Sequence, residues 1–153
     1  PTKYYDYSTK NMKHIFTSIY KLSKEHDFQL VVIPSMRTPL NTIHYAKEFF
    51  GENHTIIMDV DKKAYLSALA ISENIVVTCD SSSMISEAAL TGKPIYVASI
   101  LPKKNDKRFQ RFRNLFRELN IIRNLGEEVE IWSYEKLDET NRVANIIKQK
   151  INL

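Results

Sequence analysis

Residues 74–97 read NIVVTCDSSSMISEAALTGKPIYV, and this stretch decides the fold. Residues 75–77 are a β-branched apolar run, long enough for a buried parallel strand. Residues 78–83 then hold no large apolar side chain. Asp80, Ser81, Ser82 and Ser83 are all residue types that cap a helix, because a short side-chain oxygen accepts a free backbone N–H. Glu87 falls four residues after Ser83, so the two share one face of the following helix. Gly92 is placed to stop that helix, and Pro94 opens the apolar run 95–98. The expectation is strand, polar turn, helix, glycine turn, strand. In an open α/β sheet the ligand lies outside the carboxyl ends of the strands, where this turn sits. Free N–H groups and the helix dipole make such a turn a seat for phosphate. The same pattern also suits a well-capped βα turn that binds nothing.

The remaining strand-like runs extend this pattern outward. Residues 28–33 (FQLVVI) and 54–59 (HTIIMD) predict strands, with helices between them. Apolar residues at Met12, Ile15, Phe16, Ile19 and Leu22 predict an amphipathic helix opened by Ser8 or Thr9. Thr38 followed by Pro39 predicts a second helix start, and Gly51 its end. Arg37 stands beside that start, where a cation gains nothing from the helix dipole. It suits either a shared anion or plain solvent exposure. Tyr4, Tyr5 and Tyr7 suit either a cover over the first helix or an aromatic lip on a cleft. Residues 65–71 form an Ala- and Leu-rich helix.

Beyond Ile100 the character changes. Residues 101–113 (LPKKNDKRFQRFR) hold six basic side chains and one acidic one. Phe109, Phe112, Leu115, Phe116 and Leu119 recur at helical spacing, with Arg108 and Arg111 flanking that face. The run is either a solvated surface or, since it follows a strand's carboxyl end, part of a ligand cleft. Residues 120–124 suit a turn or short strand, and 129–132 a further strand. Val143, Ile146, Ile147 and Ile151 mark a closing helix capped by Asp138.

The whole chain sets limits. Its 153 residues suffice for one domain with a core, and 43% apolar with 26% charged residues is ordinary for a globular chain. Cys79 is the single cysteine, so a reducing compartment such as the cytoplasm is expected. No apolar run is long enough to span a bilayer, which leaves peripheral membrane association open. The net charge of +4 does not by itself point to nucleic acid. With three glycines and no GxGxxG or P-loop pattern, a glycine-rich phosphate loop is ruled out within these residues. No His or Cys pair has metal-site spacing, so no metal is expected. Four apolar strand-like runs alternate with helices, which is βαβ architecture and a parallel sheet. The opening passes directly into a helix, and a first strand ahead of Pro1 is expected.

The segments 35–39 (SMRTP), 76–94 (VVTCDSSSMISEAALTGKP), 107–112 (KRFQRF), 131–134 (IWSY) and 138–142 (DETNR) together resemble the mitochondrial-fission ELM family of plants and its bacterial relatives. Met36 departs from that pattern, where a second basic residue is common. The family resembles the two-domain GT-B glycosyltransferases, and this chain their carboxyl-terminal domain, a Rossmann-like parallel sheet with helices on both faces. That resemblance implies a nucleotide-sugar-binding domain over residues 1–153, with an upstream partner domain and a glycine-containing turn before Pro1. It implies that Ser81, Ser82, Ser83 and Met84 meet the phosphates of a UDP-like sugar nucleotide, and the positions of Arg37 and Arg108 make them further candidates for those phosphates. It implies that Glu87 meets the ribose, since one carboxylate accepts from both hydroxyls of a cis-diol. Asp80 is expected as a helix cap. No cofactor is expected, and no catalytic residue is assigned: a glycosyl transfer would need an acceptor and a base from the other domain. The plant relatives recruit a dynamin-related protein to mitochondria, so the family resemblance equally implies a non-enzymatic interaction module.

Overall fold

The computed structural model describes residues 3–151. The elements run α1 (Thr9–Glu25), β1 (Val31–Val32), α2 (Leu40–Phe50), β2 (Thr55–Ile56), α3 (Lys62–Ile71), β3 (Ile75–Thr78), α4 (Ser82–Ala89), β4 (Ile95–Ala98), α5 (Lys107–Glu118), β5 (Ile122–Asn124) and α6 (Glu139–Lys150), with a 3₁₀ turn at Gly51–Asn53. The βαβ alternation expected from the sequence is present, and every strand pairing is parallel. The fold is α/β with helices flanking parallel strands. One expectation is corrected. The strands form two sheets, β1-β2 and β3-β4-β5, and no hydrogen bond joins them among the described residues.

The larger sheet holds the core. Ile95, Tyr96, Val97 and Ala98 of β4 are all buried, as a central parallel strand requires. Ile85, Ala88 and Ala89 of α4 are fully covered against it, and the two alanines let helix and sheet approach closely. The other half is aromatic. Phe16 of α1 stacks on Tyr45 and packs against Phe49 and Phe50 of α2.

The helix ends follow local chemistry with small shifts. Pro39, expected at the first helical position, is instead the N-cap of α2, so the helix starts one residue later than expected. Thr38 instead accepts from the Ser35 N–H at 2.9 Å and closes the preceding turn. Asp61, not singled out in the sequence, caps α3 by accepting from Lys63 N and Ala64 N. Asp138 caps α6 as expected. Gly92 has φ +75, a conformation that costs a residue with a Cβ, and the Lys136 stem lies over it.

Residues 129–132 form no strand. The Tyr96 hydroxyl takes that segment by its backbone, accepting from Glu130 N at 2.7 Å and donating to Glu130 O at 3.1 Å. Trp132 then sits edge-on to the Tyr96 ring. Side-chain anchoring replaces a ladder there, which leaves Ile131 99% exposed. The apolar side of α6 also stays open, with Val143, Ile146 and Ile147 exposed.

A buried charge cluster fastens the layers. Arg113 of α5 donates to Asp106 at 3.1 Å, to the Tyr5 hydroxyl at 3.2 Å and to Cys79 O at 2.8 Å. Tyr5 in turn donates to Asp106. Burial raises the Tyr5 phenol to about 12. Burial acts to raise the Asp106 carboxyl too, but hydrogen bonds from Arg113, Tyr5 and Gln110 outweigh it and hold the group below its ordinary 3.8.

Removing one partner of such a pair leaves the other charge buried and alone. Arg113→Met is therefore expected to cost about 3–5 kcal/mol, read from urea unfolding. Because the folded carboxyl of Asp106 is depressed, its contribution is complete above the unfolded value. It is lost as pH falls below 3.8 through the lower folded value. Asp106→Asn should flatten that acid limb of the stability profile.

Candidate functional site at the turn between β3 and α4

The turn is built from both sides. Cys79 N donates to Ala98 O, which hangs the chain from the end of β4. Cys79 O accepts from Arg113. Ser81 N donates to Thr78 O at 3.2 Å and closes the turn, and Ile85 N bonds back to Ser81 O to begin α4. These anchors bury Asp80 and Ser81 to 7% and 4% exposure.

Each of these buried side chains keeps one oxygen that the fold does not use. Asp80 Oδ1 and Ser81 Oγ have no hydrogen-bond partner. Ser81 occupies the N-cap position of α4, and its side chain makes no capping hydrogen bond. The expected role of Asp80 as helix cap is corrected here. It stands one residue too early, and the Tyr7 hydroxyl faces its carboxylate. Burial first, and Asp80 second, push the Tyr7 phenol far above its usual range. The three tyrosines thus divide: Tyr5 belongs to the core cluster, Tyr4 packs edge-on to Phe109, and Tyr7 lines the opening beside Asp80.

That opening is a cavity of about 780 Å³ between the two sheets, within the size range of small-molecule sites. Seven buried side-chain polar atoms lack a partner among the described residues, and five of them belong to residues that line this cavity. They are Asp80, Ser81, Thr42, Ser72 and Tyr65. The concentration matters, because an unsatisfied buried polar group costs about 1–3 kcal/mol and is ordinarily rare.

The other predicted residues are placed as follows. Ser82 and Met84 are half-buried in the first turn of α4, and Ser83 is exposed. Glu87 is exposed one turn further along and faces the Tyr65 hydroxyl of α3 without closing a hydrogen bond to it. Burial, then Glu87, raises the Tyr65 phenol well above its ordinary value. Arg37 and Arg108 are both exposed, and among the described residues neither guanidinium has a hydrogen bond or ion pair. Nothing in the structure brings them to the α4 turn. Sequence reasoning missed Arg113, which holds the turn from below. Its signal was available, since Asp106 is the lone acid of the basic run and lies seven residues from Arg113. That spacing puts both on one face with Phe109 and Phe116.

Among the described residues no cluster of three His, Cys, Asp or Glu side chains is placed to hold a metal. No helix is long and apolar enough to cross a membrane. The turn can therefore offer helix N–H donors, a serine hydroxyl, a carboxylate and a phenol to a polar ligand.

Comparison with known proteins gives one consistent result. The family model described as Mitochondrial fission ELM1 matches residues 1–151. The chain is 30% identical over 122 residues to the Mitochondrial fission protein ELM1 of Arabidopsis thaliana, covering 76% of this chain and 28% of that protein. It is 37% identical over 102 residues to the Uncharacterized protein RP120 of Rickettsia prowazekii (strain Madrid E), covering 61% of this chain and 28% of that one. The chain thus spans little more than a quarter of the length of either relative. No solved structure matches it significantly.

The unsatisfied Ser81 hydroxyl makes a prediction about stability. Ser81→Ala removes a buried orphan oxygen and leaves the Thr78 and Ile85 backbone bonds in place. Without ligand, the variant is expected to be as stable as the native chain or up to about 1 kcal/mol more stable. Thermal unfolding checks this, and a clear loss would mean that the hydroxyl already has a structural partner.

Proposed function

This chain belongs to the mitochondrial fission ELM1 family, and from that premise we propose that it is the nucleotide-holding domain of a larger protein. The ligand class is a sugar nucleotide of the UDP type. Its diphosphate meets the N–H groups of Ser82, Ser83 and Met84 and the hydroxyl of Ser81. Its ribose meets Glu87. The observation that carries this reading is the pair of buried, unpartnered oxygens on Asp80 and Ser81 at an uncapped helix start. A helix N-terminus favours an anion through its dipole and its free donors. The Asp80 carboxylate repels phosphate, so it faces the hydroxyl-bearing part of the ligand. Arg37 and Arg108 serve only if the ligand or another domain draws them in.

The domain by itself has no turnover in this reading. The carboxylates at the α4 turn, Asp80 and Glu87, are taken up by the hydroxyl groups of the ligand in this reading, and a transfer reaction requires an acceptor from elsewhere in the protein. Titration calorimetry on the complete protein with UDP, UDP-sugars, GDP-sugars and ADP-sugars tests the assignment. Ser81→Ala and Glu87→Gln should each weaken binding by roughly tenfold or more, the loss of about one hydrogen bond to a charged group. Absence of binding to any of these nucleotides overturns it.

A second reading, a protein-interaction module, is favoured by α6. Val143, Ile146 and Ile147 are 44%, 38% and 51% exposed at a spacing that forms one apolar stripe. Such a stripe is a contact surface, either for another domain of the same protein or for a separate one. Ile147→Asp in the complete protein distinguishes these. A lowered melting temperature places the contact within the protein. Unchanged melting with loss of association places it between proteins, and neither effect removes α6 from consideration.

A further inference from the structure

The two half-sheets face each other with bare edges. In a parallel ladder both polar groups of one residue point to the same side, and successive residues alternate. On β1, Leu30 O and Val32 O accept from Thr55 N and Ile57 N, which turns Val31 and Ile33 away from β2. On β3, Ile75 N donates to Pro94 O and Cys79 N to Ala98 O, which turns the Val76 backbone away from β4. Val31 and Val76 are 43% and 40% exposed although each stands in a strand. The cavity of about 780 Å³ lies between these edges, and the apolar face of α1 lines it through Met12, Ile15 and Phe16.

We propose that this slot seats one more parallel strand, drawn from the polypeptide that precedes Tyr4 in the complete protein. It converts the two sheets into one, in the order β2-β1-strand-β3-β4-β5. Three observations select this occupant over a small molecule or a second copy. First, α1 delivers the chain into β1, and a right-handed crossover helix of this kind joins two parallel strands that lie side by side. Second, the amino-terminal residues are anchored beyond the end of β4 and reach the slot at Tyr7. Tyr5 bridges to Pro102, Asp6 N donates to Leu101 O and Lys103 N to Tyr4 O, while Tyr7 lines the cavity. A strand leaving the slot needs only a few residues, at about 3.3–3.6 Å each, to reach that anchor. Third, the resulting order is that of the doubly wound dinucleotide-binding sheets, with the incoming strand as the first. The topological switch point then falls between it and β3, and the α4 turn lies at that point. The relatives have the length to supply such a strand, since this chain spans 28% of each. A strand also satisfies the open backbone edges, which an apolar small molecule does not. The inference does not rest on the nucleotide reading.

The test is nuclear magnetic resonance and hydrogen exchange on the complete protein and on residues 1–153. In the complete protein, inter-strand NOEs from the Val31 and Val76 amides should run to one upstream segment. Those amides, with Ile33, should exchange at least 100-fold more slowly than in residues 1–153. Val76→Pro removes a slot-facing N–H. It should lower the melting temperature of the complete protein far more than that of residues 1–153. Should residues 1–153 not fold alone, the NOEs in the complete protein decide. NOEs to a second copy in an isotope-mixed sample overturn the proposal. So do unpaired edges in the complete protein, or a coding sequence with no apolar strand upstream. Loss of nucleotide binding with these NOEs intact would reject the functional reading and leave this one standing.

Discussion

The buried contact of Arg113 with Asp106, Tyr5 and Cys79 O is the constraint on which the rest of the structure depends. It joins three segments far apart in sequence: the chain entering α1, the turn after β3 and the start of α5. Taking these charges out of water is costly, and the geometry offsets the cost by giving both Asp106 and Arg113 several hydrogen bonds. Its effect is positional. With Cys79 O held from one side and Cys79 N from the other, the turn that follows has little freedom, and Asp80 and Ser81 are carried into the interior.

That rigidity holds the main chain beside two buried polar side chains, each with an oxygen left without a partner. A flexible turn would rotate Ser81 toward water or toward the helix N–H groups. Here the main chain is fixed, because both backbone groups of Cys79 are engaged and the Thr78–Ser81 bond closes the turn. Polar atoms stranded in this manner are a local cost carried by a well-packed neighbourhood, and such costs concentrate at functional sites. The fully covered Ile85, Ala88 and Ala89 of α4 and the buried run of β4 provide that packing.

The two halves of the molecule differ in how they are made. The β3-β4-β5 half is a small parallel sheet with a helix closely applied. The α1-α2 half depends on aromatic packing around Phe16, with only two bonded residues in each strand. Parallel strands ordinarily require cover on both faces and partners on both edges, because a bare edge leaves N–H and C=O groups unpaired. The inner edges of β1 and β3 lack those partners among the described residues, and the cavity lies between them.

The sequence alone determined the alternation of strands and helices, the strand and helix around the DSSS turn, the Gly51 and Asp138 helix ends and the family. These are local signals: β-branched runs, helical periodicity and capping chemistry act over a few residues. Residues 129–132 looked like a strand by the same signals, but the Tyr96 hydroxyl claimed their backbone. Asp80 looked like a cap, but a turn pinned at Cys79 set Ser81 in that position instead. Arg113 looked like one more cation in a basic run, and only the approach of Tyr5, from over a hundred residues away, made it a buried fastener. The separation into two sheets was likewise invisible, since edge pairing depends on which strands meet in space. Tertiary structure decided these points because each turns on the burial of one polar group, and burial is a property of the whole fold.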